Sequence, residues 1–296
     1  MIEVKDLRKS FGNKVVLDAL TFSVDSGEIY GLLGPNGAGK TTAINILSNL
    51  LDADSGRIVI NGNMVSENTK FLIGVVPQET SVYKDLTCRE NLLFFARLYG
   101  LHASQKIERV SELIQALNLG EYANTEVSKL SGGWQRRVNI AIALVHSPSV
   151  LILDEPTTGL DVEARYELWE LIDNLKSTGV TILLTTHQLE EAERLCSRIG
   201  IIKNGQIMAE GSLDELRAII PAKLLAVLET NDYKSLCQKA DSFGWTHRHY
   251  GGRLTLWLPE QFTLKDIVDK FDGIQLSSVS LREVGLEHVY VEVTGK

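Results

Sequence analysis

Nine consecutive residues, Gly34, Pro35, Asn36, Gly37, Ala38, Gly39, Lys40, Thr41 and Thr42, constrain this chain more than any other stretch. They fit the pattern G-x-x-x-x-G-K-S/T, which has physical meaning only between a strand and a helix. Both neighbours are present. Glu28 to Leu33 is a short apolar run of strand character, and Thr41 to Leu51 is apolar with helical period. In that setting the glycines let successive backbone N–H groups converge on phosphate oxygens, and the helix directs its positive dipole end at them. Lys40 reaches the outer phosphates and Thr41 offers a hydroxyl to Mg²⁺. A strand, a phosphate loop and a helix in series imply an α/β core.

The flanking patterns extend that core. Strand-like stretches at Ile2 to Leu7 and Val15 to Val24, broken by Gly12 and Asn13, predict an antiparallel sheet at the start. From Asp85 to Leu119 the apolar spacing is helical, which predicts a helical insert, continued by a helix from Gln135 to Val145 and spanning about 85–145. Strand patterning resumes at Val150 to Asp154 and Val180 to Thr185 with a helix, Glu163 to Ser177, between them, which implies parallel strands joined by crossovers. A hairpin from Ile199 to Glu210 turns on Asn204 and Gly205 and closes a first domain, residues 1–216, near Leu216.

The strand Val150 to Asp154 delivers two adjacent carboxylates, Asp154 and Glu155, at its C-terminal end, where open α/β sheets bind ligands. Asp154 can hold Mg²⁺, and Glu155 can orient the water that attacks a γ-phosphate. An Asp-Glu pair at a strand end is by itself more often a solvated turn, and it takes its force from the phosphate loop upstream.

Composition excludes other classes. With 30 basic against 38 acidic residues the formal charge is −8, a poor footprint for nucleic acid or an anionic lipid surface. No apolar run reaches the roughly 18 residues of a spanning helix, and Met1 to Lys5 does not read as a signal peptide, so a membrane role has to pass through protein contacts. Cys88, Cys196 and Cys237 fit neither a disulfide framework nor a zinc site.

Leu130, Ser131, Gly132 and Gly133, shortly before the acidic strand, match the start of the signature L-S-G-G-Q. As a loop they cap a helix and present a hydroxyl and backbone N–H groups to an anion. With them the chain resembles the ATP-binding cassette ATPases, and the resemblance covers residues 1 to about 216. It implies a P-loop NTPase core with an antiparallel β subdomain and a helical insert, and it implies ATP and Mg²⁺ as ligands. Phe11 stands at the adenine-stacking position. Gln78 stands at the Q-loop, whose glutamine contacts Mg²⁺ and the attacking water. Asp161 lies in the D-loop, and His187 matches the switch histidine of the γ-phosphate. Lys40, Gln78, Glu155 and His187 are then the catalytic set. Thr41, Gln78 and Asp154 would be the metal set, with Gly34–Thr42, Phe11, Ser131–Gly133 and Asp161 holding nucleotide. Two residues depart from the pattern: Trp134 replaces the signature glutamine, and Phe11 replaces the commoner tyrosine.

The resemblance further implies a homodimer that sandwiches two ATP molecules, each between the phosphate loop of one copy and Ser131–Gly133 of the other. It implies separate transmembrane permease subunits, a peripheral place at the cytoplasmic face of the membrane, and an exporter of the ABC-2 type. A soluble cassette serving translation, repair or cofactor assembly is the alternative, and a regulatory module without turnover is disfavoured by the intact Glu155 and His187. The transported substrate is not legible, because its contacts lie in other subunits.

Residues 217–296 lie beyond the cassette. Leu224 to Leu228, Trp245 to His249, Leu254 to Leu258 and Ile274 to Leu281 read as strands, and Tyr233 to Phe243 and Leu264 to Phe271 as helices. The order β-α-β-β-α-β is ferredoxin-like, and Arg282 to Val293 reads as a closing amphipathic helix. Such an α+β domain is expected to hold two cassettes together or to regulate their closure.

Overall fold

The computed structural model describes residues 1–79 and 81–295, which form two compact units, Met1–Glu210 and Gly211–Lys296. In the first, β1 (Ile2–Phe11) and β2 (Lys14–Val24) pair antiparallel, and alternation buries Ile2, Val4 and Leu7 against Leu17, Leu20, Phe22 and Val24. Next come β3 (Ile29–Leu33), α1 (Lys40–Leu47), β4 (Ser55–Ile60), β5 (Asn63–Met64) and, after a 3₁₀ segment at Glu67–Leu72, β6 (Ile73–Val76). Three helices follow: α2 (Cys88–Leu98), α3 (Ala103–Ala116) and α4 (Gly132–Ala143). The unit ends with β7 (Val150–Asp154), α5 (Val162–Ser177), β8 (Thr181–Thr186), α6 (Leu189–Leu195), β9 (Arg198–Lys203) and β10 (Gln206–Gly211).

Two sheets result. One is antiparallel, in the order β2-β1-β4-β5; the other runs β10-β9-β3-β8-β7-β6, with parallel pairing from β9 through β6. Every residue of β3, β7 and β8 is buried, as expected of central parallel strands covered on both faces. The order has one consequence for the site. The C-terminal ends of β3, β8, β7 and β6 stand side by side, and the residues that follow them include Gly34, His187, Glu155 and Gln78.

Several elements differ from the sequence reading for local reasons. The helical stretch from Asp85 is two helices, because Gly100 takes a left-handed φ of 82° between them. α4 starts at Gly132 rather than Gln135, with Ser131 in the extended conformation of a helix N-cap. Strands β4, β5 and β6 are too short to show a period, and pairing of β4 with β1, β5 with β4 and β6 with β7 defines them. The helices α2, α3 and α4 share an apolar core that includes Leu92, Val110, Leu113, Val138 and Trp169.

The second unit contains α7 (Leu213–Arg217), β11 (Leu224–Thr230), α8 (Tyr233–Ser242), β12 (His247–Tyr250), β13 (Arg253–Leu258), α9 (Leu264–Lys270), β14 (Leu276–Arg282) and α10 (Leu286–Thr294). Its sheet is ordered β12-β13-β11-β14 with every neighbouring pair antiparallel. Ala226, Leu228, Leu254 and Leu256 point to the face that Leu236, Ala240, Ile267 and Phe271 of α8, α9 and the adjoining turn cover. The division falls after Glu210 rather than Leu216, because Leu213–Arg217 packs against α10 of its own unit. Trp245, read as the start of a strand, instead closes α8: its N–H bonds to Ala240 after Gly244 at φ 71°, and its ring is buried among Phe243, Phe262 and Phe271. The closing helix begins at Leu286 rather than Arg282, because β14 keeps pairing with β11 as far as Arg282.

Gly74 on β6 fixes how closely α4 approaches the sheet, since a Cβ there would lie 2.2 Å from the Ala143 carbonyl oxygen. Gly74→Ala is expected to destabilise the chain by about 1–3 kcal/mol, as overpacking does. An unchanged urea midpoint would show that α4 can move off β6 freely.

Candidate active site

Loop geometry comes first. Gly39 adopts φ 107°, a left-handed conformation open to glycine, and a Cβ there would meet Leu17 Cδ2 at 2.6 Å and the Val16 carbonyl oxygen at 2.9 Å. At Gly34 a Cβ would lie 2.4 Å from the Ile202 carbonyl oxygen, so the loop leaves β3 in close contact with β9. The loop borders a pocket of about 380 Å³. Asn36, Gly37, Gly39, Lys40, Thr41, Thr42, Gln78 and Glu155 line it, with Lys14 and Val16 of β2.

The Lys40 ammonium is buried and donates to the carbonyl oxygens of Gly34 at 2.8 Å and Pro35 at 3.2 Å. It stands 3.3 Å from Glu155 Oε1. Glu155 Oε2 accepts from His187 Nδ1 at 3.1 Å, Thr158 Oγ1 at 3.2 Å and Gln78 Nε2 at 3.4 Å. Burial pushes the Glu155 carboxyl up, but the hydrogen bond from His187 and the charge of Lys40 outweigh it and hold the group below the ordinary carboxylate value. Glu155 is ionised at neutral pH. Its backbone sits at φ 47°, in the left-handed region, secured by its N–H on the Thr185 carbonyl at 3.0 Å.

Asp154 lies beside it, buried. Its Oδ2 accepts from Thr41 Oγ1 at 3.3 Å and its Oδ1 from Thr185 Oγ1. A hydroxyl and a carboxylate that converge at a phosphate loop suit Mg²⁺, which takes one or two protein carboxylates with phosphate and water oxygens. Among the described residues no cluster of three or more His, Cys, Asp and Glu could cage a metal unaided.

The fold thus gathers Lys40, Thr41, Gln78, Asp154, Glu155 and His187. It leaves the other candidates elsewhere: Phe11, Ser131, Gly132, Gly133 and Asp161 do not line the pocket. Phe11 is exposed at the end of β1, with Lys9 Nζ 5.6 Å from its ring centroid. Asp161 is the N-cap of α5, accepting from Ala164 N–H at 2.8 Å. Trp134 packs within its own chain, 4.5 Å from the Tyr122 ring and 4.7 Å from the Arg137 guanidinium. The free thiols make no disulfide.

Sequence reasoning missed two buried charges. Glu191 on α6 is fully buried, accepting from Thr157 Oγ1 at 2.7 Å and Trp169 Nε1 at 3.2 Å, and burial raises its carboxyl above the ordinary value. Arg136 on α4 donates to four backbone carbonyls around the site. The available signal was an arginine pair, Arg136 and Arg137, at the start of a helix that turns apolar after it.

A family model described as ABC transporter matches residues 17–158. The chain is 42% identical over 219 residues to the linearmycin resistance ATP-binding protein LnrL of Bacillus subtilis (strain 168), covering 73% of this chain and 70% of that one. It is 47% identical over 220 residues to the Nod factor export ATP-binding protein I of Paraburkholderia xenovorans (strain LB400), covering 73% and 72%. Among solved structures, an ATP-binding subunit of an ABC transporter superposes with a TM-score of 0.66 at 35% identity, over 74% of this chain and 92% of that one. A dimeric ATP-binding cassette in a post-hydrolysis state bound to ADP and Pi gives 0.64 at 27% identity, over 72% and 98%.

The Glu155–His187 contact has a pH signature. A carboxyl held below its unfolded value adds stability that is complete above that value and is lost as pH falls through the folded-state pKa. His187→Ala is therefore expected to destabilise the protein by about 1 kcal/mol at neutral pH, a figure scaled down because the imidazole is part exposed. The deficit should shrink below the ordinary carboxylate range, as thermal melts at neutral and acid pH would detect. A pH-independent deficit would remove the contact from that role.

Proposed function

The chain belongs to the ABC transporter family, and on that premise we propose that it is the ATP-binding and ATP-hydrolysing subunit of an ABC-2-type exporter. The observation that carries this reading is the convergence of Lys40, Gln78 and His187 on the ionised Glu155 at the mouth of the phosphate loop. Lys40 and the loop N–H groups bind the β- and γ-phosphates. Glu155 and Gln78 orient the attacking water. Its oxygen bonds to the γ-phosphorus as the bond to the β–γ bridging oxygen breaks, and Glu155 draws off the proton. Positioning and electrostatics carry most of the rate, as in phosphoryl transfer generally. His187 holds Glu155 in place and faces the γ-phosphate. Mg²⁺, on Thr41 and Asp154 with Gln78 near, would neutralise charge on the phosphate oxygens.

Ser131, Gly132 and Gly133 cap α4 away from the chain's own phosphate pocket. That separation supports a head-to-tail homodimer, in which they close on the nucleotide held by the other copy, with Phe11 on adenine and Asp161 in the contact between copies. The solved relative described as dimeric supports a dimer. Turnover then follows a cycle of closure on two ATP molecules and reopening after hydrolysis. Glu155→Gln keeps the geometry and loses the pull on water, so it is expected to retain ATP affinity and to lower kcat by at least about 100-fold. On size exclusion with ATP it should run as a dimer. Near-normal turnover would remove Glu155 from the reaction.

No helix among the described residues is long and apolar enough to cross a membrane. A groove of about 310 Å³ beside β6, lined by Leu50, Ile73, Val75, Pro77, Phe95 and Tyr99, suits a short apolar segment of a membrane subunit. Phe71 before β6, Tyr83 before α2, and Phe94 and Leu98 on α2 are large apolar side chains left exposed. The groove adjoins Gln78, which supports coupling between a permease at the cytoplasmic face and the ATP site. The relatives named for export and resistance favour this over a cassette acting in translation, repair or cofactor assembly. Leu50→Glu with Leu98→Glu is expected to release the chain from membranes of its source cells, with ATP binding unchanged. Retention of the double variant in the membrane fraction would move the docking surface elsewhere.

A further inference from the structure

Arg136 is 4% exposed, yet none of its hydrogen bonds goes to a carboxylate. Its Nε donates to the Pro156 carbonyl at 2.8 Å and one terminal nitrogen to the Pro77 carbonyl at 2.6 Å. The other terminal nitrogen serves two acceptors, the carbonyls of Gln78 and Glu155, each at 3.1 Å. The two residues whose side chains meet at 3.4 Å are thus pinned through their backbones to a single nitrogen atom. Burial lowers the pKa of the guanidinium, opposed by the nearby carboxylates of Asp154 and Glu191. Only a planar, five-donor fork can meet four carbonyls in this layout, so a lysine would leave some of them unmet.

The helix that carries Arg136 also begins at the signature loop, with Ser131 as its N-cap. One rigid element therefore ends at the loop that would face the partner's nucleotide and, little more than a turn later, grips both loops of the chain's own catalytic site. We propose that Arg136 is a positioning residue that ties the Ser131–Gly133 helix to Gln78 and Glu155 of the same chain and so couples the two ATP sites of the dimer. This rests on the head-to-tail reading above. Seating of α4 on the partner's nucleotide sets the Gln78–Glu155 pair, and loss of that seat lets the left-handed Glu155 backbone relax. A shift of about 1 Å in such a pair is enough for a rate loss on the order of 100-fold.

The test compares Arg136→Lys with Arg137→Lys in the full chain. Arg137 is also buried but bonds to Glu167 on α5 and touches neither loop. Arg136→Lys is expected to lower kcat roughly tenfold to a hundredfold, to leave the calorimetric Kd for ATP within about twofold, and to bring the Hill coefficient for ATP to about one. Arg137→Lys should keep the wild-type Hill coefficient. Unchanged kcat and cooperativity in Arg136→Lys would overturn the proposal, as would ATP affinity falling in step with kcat. If the lysine variant fails to fold, hydrogen exchange on the wild-type chain decides. The amides around Gln78 and those of Glu155 to Thr158 should gain protection together as ATP is added, and independent responses overturn the coupling. Glu155→Gln separates the two levels. If it does not dimerise with ATP, the head-to-tail reading falls and the coupling with it; if it dimerises while Arg136→Lys turns over normally, only the role of Arg136 falls.

Discussion

The meeting of Glu155 with Lys40 at 3.3 Å, both almost out of reach of water, is the constraint on which the rest of the site depends. Removing one partner of a buried pair of this kind costs about 3–5 kcal/mol, because the other charge is stranded. The surrounding groups keep the pair viable. Gly34 and Pro35 carbonyls take the remaining donors of Lys40, and His187, Thr158 and Gln78 take Oε2 of Glu155. Those groups come from separate segments, so the carboxylate can be satisfied only when the whole parallel sheet has assembled. The same network that holds the fold together at its C-terminal edge is what a phosphoryl group would meet.

Strand order explains why the network closes there. β3, β8, β7 and β6 are adjacent and parallel, and each is followed by a loop that contributes one piece: the glycine-rich loop, His187, the Asp154–Glu155 pair and Gln78. Behind them lies a second layer of buried charge. Glu191 joins Thr157 to Trp169 on α5, and Arg136 joins the Pro77–Gln78 backbone to Glu155 and Pro156. Interior polar groups are expensive to desolvate; Arg136 is met by four hydrogen bonds, and Glu191 by two, both on Oε1. The helical layer is thereby fixed to the catalytic loops by polar contacts, while its apolar core packs around Trp169.

The site in one chain is incomplete by construction. Ser131 to Gly133 offer a helix N-terminus and a hydroxyl with no phosphate pocket of their own, and Asp161 spends its carboxylate on capping α5. The second unit answers to a different logic: an antiparallel sheet with one face buried under α8 and α9 builds its own core.

The phosphate-loop pattern was legible from sequence alone, because glycine spacing and a following lysine encode local backbone geometry. So were Asp154 and Glu155, at the end of a strand whose apolar run is unbroken. Gln78, His187 and Ser131 were legible only through their order along the chain, since one glutamine or histidine carries no pattern of its own. In the C-terminal unit the alternation of strand residues indicated the elements, while the start of α10 and the place of Trp245 depended on which pairings and aromatic contacts prevailed. Tertiary structure alone decided the rest. That Arg136 reaches four carbonyls, that Glu191 is buried, and that Glu155 lies below the ordinary carboxylate range all follow from segments distant in sequence meeting at one sheet edge. Sequence fixes what a residue can donate or accept, and only packing determines which groups stand within hydrogen-bond reach and how little water is left between them.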